Sequence, residues 1–155
     1  MTRISAGILL YRFIEKELQF FLVHPGGPFF ANKDNGHWTI PKGEPNDDED
    51  LSSCALREFR EETGISISGE MVELNPIQQK GGKKVFAWAM EGNADPAIIE
   101  SNIFEMEWPY KSGKMKRFPE IDKASWFNLR QALEKINPAQ QAFLHETARV
   151  IENTL

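Results

Sequence analysis

At 155 residues the chain holds about one domain's worth of core, and a domain of this size buries roughly two-thirds of the surface its unfolded chain exposes, so neither disulfides nor a structural metal are required. Hydrophobic residues at 41% and charged residues at 26% exclude a disordered or low-complexity chain, and a net charge of −5 argues against a general coat for nucleic acid, which needs a broad basic surface. The lone Cys54 leaves no internal disulfide, the N-terminus has no signal-peptide pattern, and SAGILLYRF is too short to span a bilayer, so a cytoplasmic protein with no membrane partner is expected.

ISAGILLYRF and LQFFLVH are β-branched and aromatic runs that predict two strands joined by a tight polar connection. PGGPFFANKDNG is rich in turn formers and predicts a loop, HWTI a short strand halted by Pro41. Positions 50–63 lack Gly and Pro and repeat Leu51, Ala55 and Phe59 at helical spacing before Gly64, which predicts an amphipathic helix with a glycine C-cap. Strands resume at GEMVEL and KKVFAWAM, whereas Asn93 to Arg117 looks strand-poor. KASWFNL predicts a last strand feeding a helix over 129–135, and Asn137-Pro138 separates that from a final helix over 139–153. This order predicts an α+β fold with a mixed sheet between helical layers, as one domain over 1–155.

Helical neighbours three and four apart share a face, so Glu58, Glu61 and Glu62 project together while Phe59 holds the core side. Acids in a last turn oppose the helix dipole, at a cost of about 0.3–1 kcal/mol each unless a cation offsets them. Arg57, four residues before Glu61, relieves one of them. Several carboxylates converging with loop carbonyls make a hard-oxygen site suited to magnesium or manganese; the alternative is a solvated face of mixed charge.

Those acids belong to a longer string, GEPNDDEDLSSCALREFREETGI, positions 43–65, which resembles the signature of the Nudix hydrolase family, G-x5-E-x7-R-E-U-x-E-E-x-G-U with U a bulky apolar residue. Gly43, Glu49, Arg57, Glu58, Glu61, Glu62 and Gly64 supply the identities, and Phe59 and Ile65 the apolar positions. Chance agreement is on the order of 10⁻⁸ per starting position. The resemblance implies a Nudix-type α/β/α sandwich that binds divalent metal and hydrolyses a nucleoside diphosphate linked to another group. It implies Glu58 and Glu62 as principal metal ligands, Glu61 as a further ligand or water-orienting base, and the Gly43 carbonyl as a ligand. Arg57 would act with Glu49 to fix loop to helix, and Gly64 would close the motif. PEIDKASWF is similar to a family segment in which a glutamate six residues before a tryptophan reaches the metals. That makes Glu120 a candidate base or ligand, with an exposed loop glutamate as the alternative.

HWTIPKGE is similar to the run that precedes the signature in dinucleoside-polyphosphate hydrolases, which makes Lys42 a phosphate contact and Trp38 a packing residue. Lys83, Lys84, Lys111, Lys114, Lys116 and Arg117 form a basic strip suited to a long polyphosphate, or else a solvated loop. Phe29, Phe30, Trp108 and Tyr110 are candidate base-stacking aromatics. His24 and His37 lack metal-ligand spacing and read as structural or loop residues, and Cys54 as packed. The expected activity is hydrolysis of a dinucleoside polyphosphate or NTP by a monomer or homodimer, with no stable nucleic-acid partner. The alternatives are an RNA 5′-end pyrophosphohydrolase, disfavoured by the acidic balance, and a non-catalytic nucleotide-binding Nudix module.

Overall fold

The computed structural model describes residues 3–154, with side chains as far as Glu152. β1 (Ile4–Ile14) and β2 (Glu17–Pro25) form an antiparallel hairpin. There follow β3 (Lys42–Gly43), α1 (Leu51–Thr63), β4 (Met71–Glu73), β5 (Ile77–Gln78), β6 (Lys84–Glu91), β7 (Ile103–Glu107), β8 (Met115–Pro119), β9 (Ile121–Asn128), α2 (Leu129–Lys135) and α3 (Gln141–Thr154). The main sheet runs β4-β6-β1-β2-β9, with β3 added to β1 and β5 to β6. β1 and β6 are parallel and the other pairs antiparallel, so the sheet is mixed as expected.

Side chains alternate across a strand, and both faces of β1 and β2 are apolar. Leu9, Phe20 and Leu22 belong to a core shared with Ala132 of α2 and with Phe143 and Leu144 of α3. Ile8, Leu10, Phe21 and Val23 belong to a second core shared with Cys54, Ala55 and Phe59 of α1. Two buried faces require two helical layers, which is the α/β/α arrangement.

α1 starts where Asp50 caps it, accepting the Ser53 amide, and stops where Gly64 takes a left-handed φ of 74° and donates its amide to the Arg60 carbonyl at 2.7 Å. Asp50 is therefore the cap, one residue before the helix proper.

Three expectations change. HWTI is not a strand: Thr39 bridges Val23 and Trp38 bridges Ile136, each as a single pair. Pairing with β1 is confined to Lys42 and Gly43, after Pro41, whose carbonyl accepts from the Ile8 amide but which has no amide to donate. Asn93 to Arg117 is not strand-poor, because β7 and β8 make a separate antiparallel hairpin. Its charged residues masked the alternation that puts Phe104 opposite Phe118, with ring centroids 5.9 Å apart. The last helix begins later, because Pro138–Gln140 forms a 3₁₀ turn capped by Asn137.

Candidate active site

Arg57 is the hub of the loop–helix junction. Its Nε and Nη2 donate to both oxygens of Glu49 at 2.9 Å, its Nη2 also reaches the Glu44 carbonyl at 3.0 Å, and its Nη1 bridges Glu58 and Glu61, both at 3.0 Å. A planar guanidinium can serve this many acceptors at once, which a lysine cannot. The Arg57 bonds, with help from the Asn46 amide, hold the Glu49 carboxyl down to about 2, and the same bonds raise the proton affinity of Arg57. Glu49, expected to fix the loop to the helix with Arg57, is the residue that grips it most fully.

Glu58, Glu62 and Glu120 behave oppositely to Glu49. Burial pushes Glu62 up to about 8, with the negative charges of Glu58 and Glu120 adding to the effect against the Lys42 contacts. Burial likewise raises Glu58, with Glu61 adding repulsion, and raises Glu120. Glu120 therefore lies within electrostatic reach of Glu62, 58 residues away in the chain. It is held there by its backbone, whose amide donates to Asn102 and whose carbonyl accepts from Gly26, both at 2.8 Å.

Gly43 explains how close the strand comes to the helix. A Cβ at that position would collide with the Glu58 carboxylate, so only glycine lets the carboxylate lie against the β3 backbone. The Cys54 thiol donates to the Gly43 carbonyl at 3.6 Å and is pushed up to about 11 by burial, which fits a packed residue and not a nucleophile. The Lys42 amide donates to Glu62 Oε1 at 3.2 Å. Burial lowers the Lys42 pKa, and Lys83 lowers it further. Lys83 thus lies within electrostatic reach of Lys42, whereas the ammonium of its neighbour Lys84 sits over Phe86 at 5.1 Å.

The other substrate-side candidates lie on the β7–β8 hairpin. Tyr110 is 80% exposed under the Lys111 ammonium, Lys114 is exposed beside it, and Arg117 makes a long 3.8 Å pair with Glu105. None of them contacts the glutamates. The hairpin is nevertheless joined to the site, because Phe29 meets Trp108 edge to face at 5.8 Å, and Gly26, near Phe29, holds the Glu120 carbonyl.

Among the described residues no three carboxylate, imidazole or thiol groups already stand together as a metal cage. Arg57 engages Glu58 and Glu61, and the Lys42 amide engages Glu62. The donor set nevertheless fits a hard cation. It is all oxygen, and at Glu58, Glu62 and Glu120 burial makes negative charge costly unless a cation shares it.

Sequence reasoning missed a small cavity of about 170 Å³ beside Lys42, lined by Phe30, His37, Gln79, Asn137 and Gln140 among others. Asn137 had only a breaker's signature and Gln79 none, because the cavity is assembled from segments far apart in the chain. His24 is structural as expected: its ring lies between Asp122 at 2.8 Å and the Lys33 carbonyl at 2.7 Å.

A mixed sheet between helical layers, with an arginine-centred glutamate helix against a glycine strand, defines a Nudix domain. The NUDIX domain model matches residues 1–147, and the chain belongs to that family. The mRNA-decapping protein g5R of African swine fever virus is 62% identical over 101 residues, covering 59% of this chain and 37% of that protein. The asymmetrical bis(5′-nucleosyl)-tetraphosphatase of Mus musculus is 43% identical over 61 residues, covering 36% of this chain and 42% of that protein. The match thus spans less than half the length of these curated relatives. The Ap4A hydrolase of C. elegans, solved as a binary complex, superposes with a TM-score of 0.69 over 96% of this chain and 98% of its own, at 20% identity. That likeness is one of fold.

Proposed function

We propose that the chain is a divalent-metal-dependent pyrophosphohydrolase acting on a polyphosphate attached to a nucleoside 5′ position, with dinucleoside polyphosphates or NTPs as substrates. The observation that carries this reading is that Glu62 lies within electrostatic reach of both Glu58 and Glu120, three half-buried carboxylates from α1 and the segment after β8, beside Gly43 and Lys42. With the Glu61 carboxylate and the Gly43 carbonyl they would hold magnesium or manganese. Such an ion supplies neutralisation of the polyphosphate and acidification of water. Lys42 sits beside this cluster as the phosphate-contacting cation. Arg57 is a positioning residue that sets Glu58 and Glu61. Water adds to phosphorus in line with the departing phosphate oxygen, and one carboxylate takes the proton that water gives up. Glu120 suits that task best, since among the described residues neither Arg57 nor the Lys42 amide engages its carboxylate and burial raises its proton affinity.

A capped RNA 5′ end carries the same 5′-linked polyphosphate. The 62% identity to a protein named as mRNA-decapping favours it as a second substrate class, and the exposed basic hairpin supports it. One panel decides: Ap4A, ATP, triphosphorylated RNA and capped RNA, each with magnesium and with EDTA. Glu120→Gln is expected to lower kcat by about 100-fold or more while metal binding, weakened by the loss of one carboxylate, is retained through Glu58 and Glu62. Glu61→Gln and Glu62→Gln enzymes that keep wild-type rates on every substrate would refute this site, and nucleotide binding without turnover would favour a sensor module.

A further inference from the structure

The cavity beside Lys42 has a hydrogen-bonding polarity that can be worked out from the backbone outward. The Ile40 amide can only donate, and it donates to Gln140 at 3.1 Å, which fixes that side-chain atom as the oxygen Oε1. Gln140, fully buried, must therefore present its Nε2 to Gln79, 2.9 Å away, so the contacted Gln79 atom is its oxygen. The Gln79 amide nitrogen is left over. By the same logic the Ala139 amide donates to Asn137 Oδ1 at 2.9 Å, and the Asn137 amide nitrogen is left over. Neither nitrogen has a partner among the described residues. Lys42 also lines this cavity, and its ammonium has no ion pair among the described residues. Three side chains with an uncommitted donor therefore line one small space, beside the Thr39 hydroxyl and the His37 ring, while the side-chain oxygens of Gln79, Asn137 and Gln140 are already engaged.

The cavity, at about 170 Å³, is smaller than the roughly 300 Å³ or more of a drug-sized pocket and suits a single ring system. Phe30 and His37 give it an aromatic wall, with their rings 6.3 Å apart. It abuts the glutamate cluster through Lys42, whose amide holds Glu62. We propose that this cavity is a nucleobase subsite selective for 6-oxopurines, guanine above adenine. Guanine offers two adjacent acceptors, O6 and N7, to a donor-lined wall, whereas adenine replaces O6 with an amino donor that would face other donors. The inference rests on the reading of the chain as a nucleotide hydrolase and adds to it which base the site selects.

The test is calorimetric binding of GMP, IMP and AMP to wild-type protein and to Gln79→Glu and Asn137→Asp. Both substitutions keep the oxygen that Gln140 or Ala139 already uses, so the frame stays intact. GMP and IMP are expected to bind at least about tenfold tighter than AMP, since both keep O6 and N7. Each variant should shrink that ratio, partly through stronger AMP binding. Equal affinities, an AMP preference, no detectable binding, or an unchanged ratio in both variants would each overturn the subsite. Hydrolysis of diguanosine and diadenosine tetraphosphate is measured in parallel. Turnover without base preference refutes the subsite alone, and base preference without turnover refutes the catalytic reading alone.

Discussion

Glu62 is the carboxylate at which folding and the proposed cation binding would be coupled. Its folded pKa is raised to about 8, while an unfolded glutamate titrates near 4.3. Between those values the folded state holds a proton that the unfolded state has lost, so unfolding releases a proton and stability falls as pH rises from about 5 to 8. A divalent cation needs the ionised carboxylate, so its affinity should climb over the same interval. Urea midpoints at pH 5.5, 7 and 8.5, with EDTA and with magnesium, check both effects: the EDTA series should decline with pH, the magnesium series less, and Glu62→Gln should flatten the decline. Gly43 gives a steric counterpart. In Gly43→Ala the new methyl occupies the place of the Glu58 carboxylate, so kcat is expected to fall by at least about tenfold. Circular dichroism should show the sheet intact, since β3 is only two residues long.

At the scale of elements, α1 positions the site because Phe59 fastens it to the sheet. Phe59 is fully buried and packs on Phe21, with centroids 5.8 Å apart, so Phe59→Ala should cost about 3–5 kcal/mol by denaturant unfolding. Gly64→Ala should cost about 1–2 kcal/mol, because an alanine there must adopt a left-handed φ with its Cβ against the Glu100 carbonyl. This helix was legible in the sequence because its signals are local: the spacing of Leu51, Ala55 and Phe59, and the glycine stop. The β7–β8 hairpin was not, since its short strands are paired by Phe104 and Phe118 across a charged sequence. Nor was the Gln79–Gln140 contact, which spans 61 residues and leaves no periodic trace. The glutamates of α1 could be read directly, whereas the approach of Glu120 depends on a tether to Gly26 that only the fold reveals.

Over the whole molecule the charge is unevenly spread, and under the proposed activity that spread would govern how a polyanionic substrate reaches an acidic protein. Positions 44–50 carry five acids beside the site, while Lys111, Lys114, Lys116 and Arg117 stand on the hairpin whose Trp108 touches Phe29. Exposed charges attract a polyanion over roughly a Debye length, about 10 Å at 0.1 M salt, so their contribution belongs to encounter and weakens with salt. If the hairpin guides substrate, KM for a dinucleoside tetraphosphate should rise severalfold between 20 and about 300 mM salt while kcat stays level. Replacing the four basic residues by glutamine should raise KM at low salt and remove most of that salt dependence. A variant that keeps the wild-type salt profile would show that the strip is a solvated surface and that Lys42 and Lys83 meet the phosphates unaided. Substrate length separates the two cases further. A hairpin outside the glutamate cluster should matter more for a long RNA 5′ end than for ATP, so the loss of kcat/KM in the quadruple variant should grow with the length of the anionic chain.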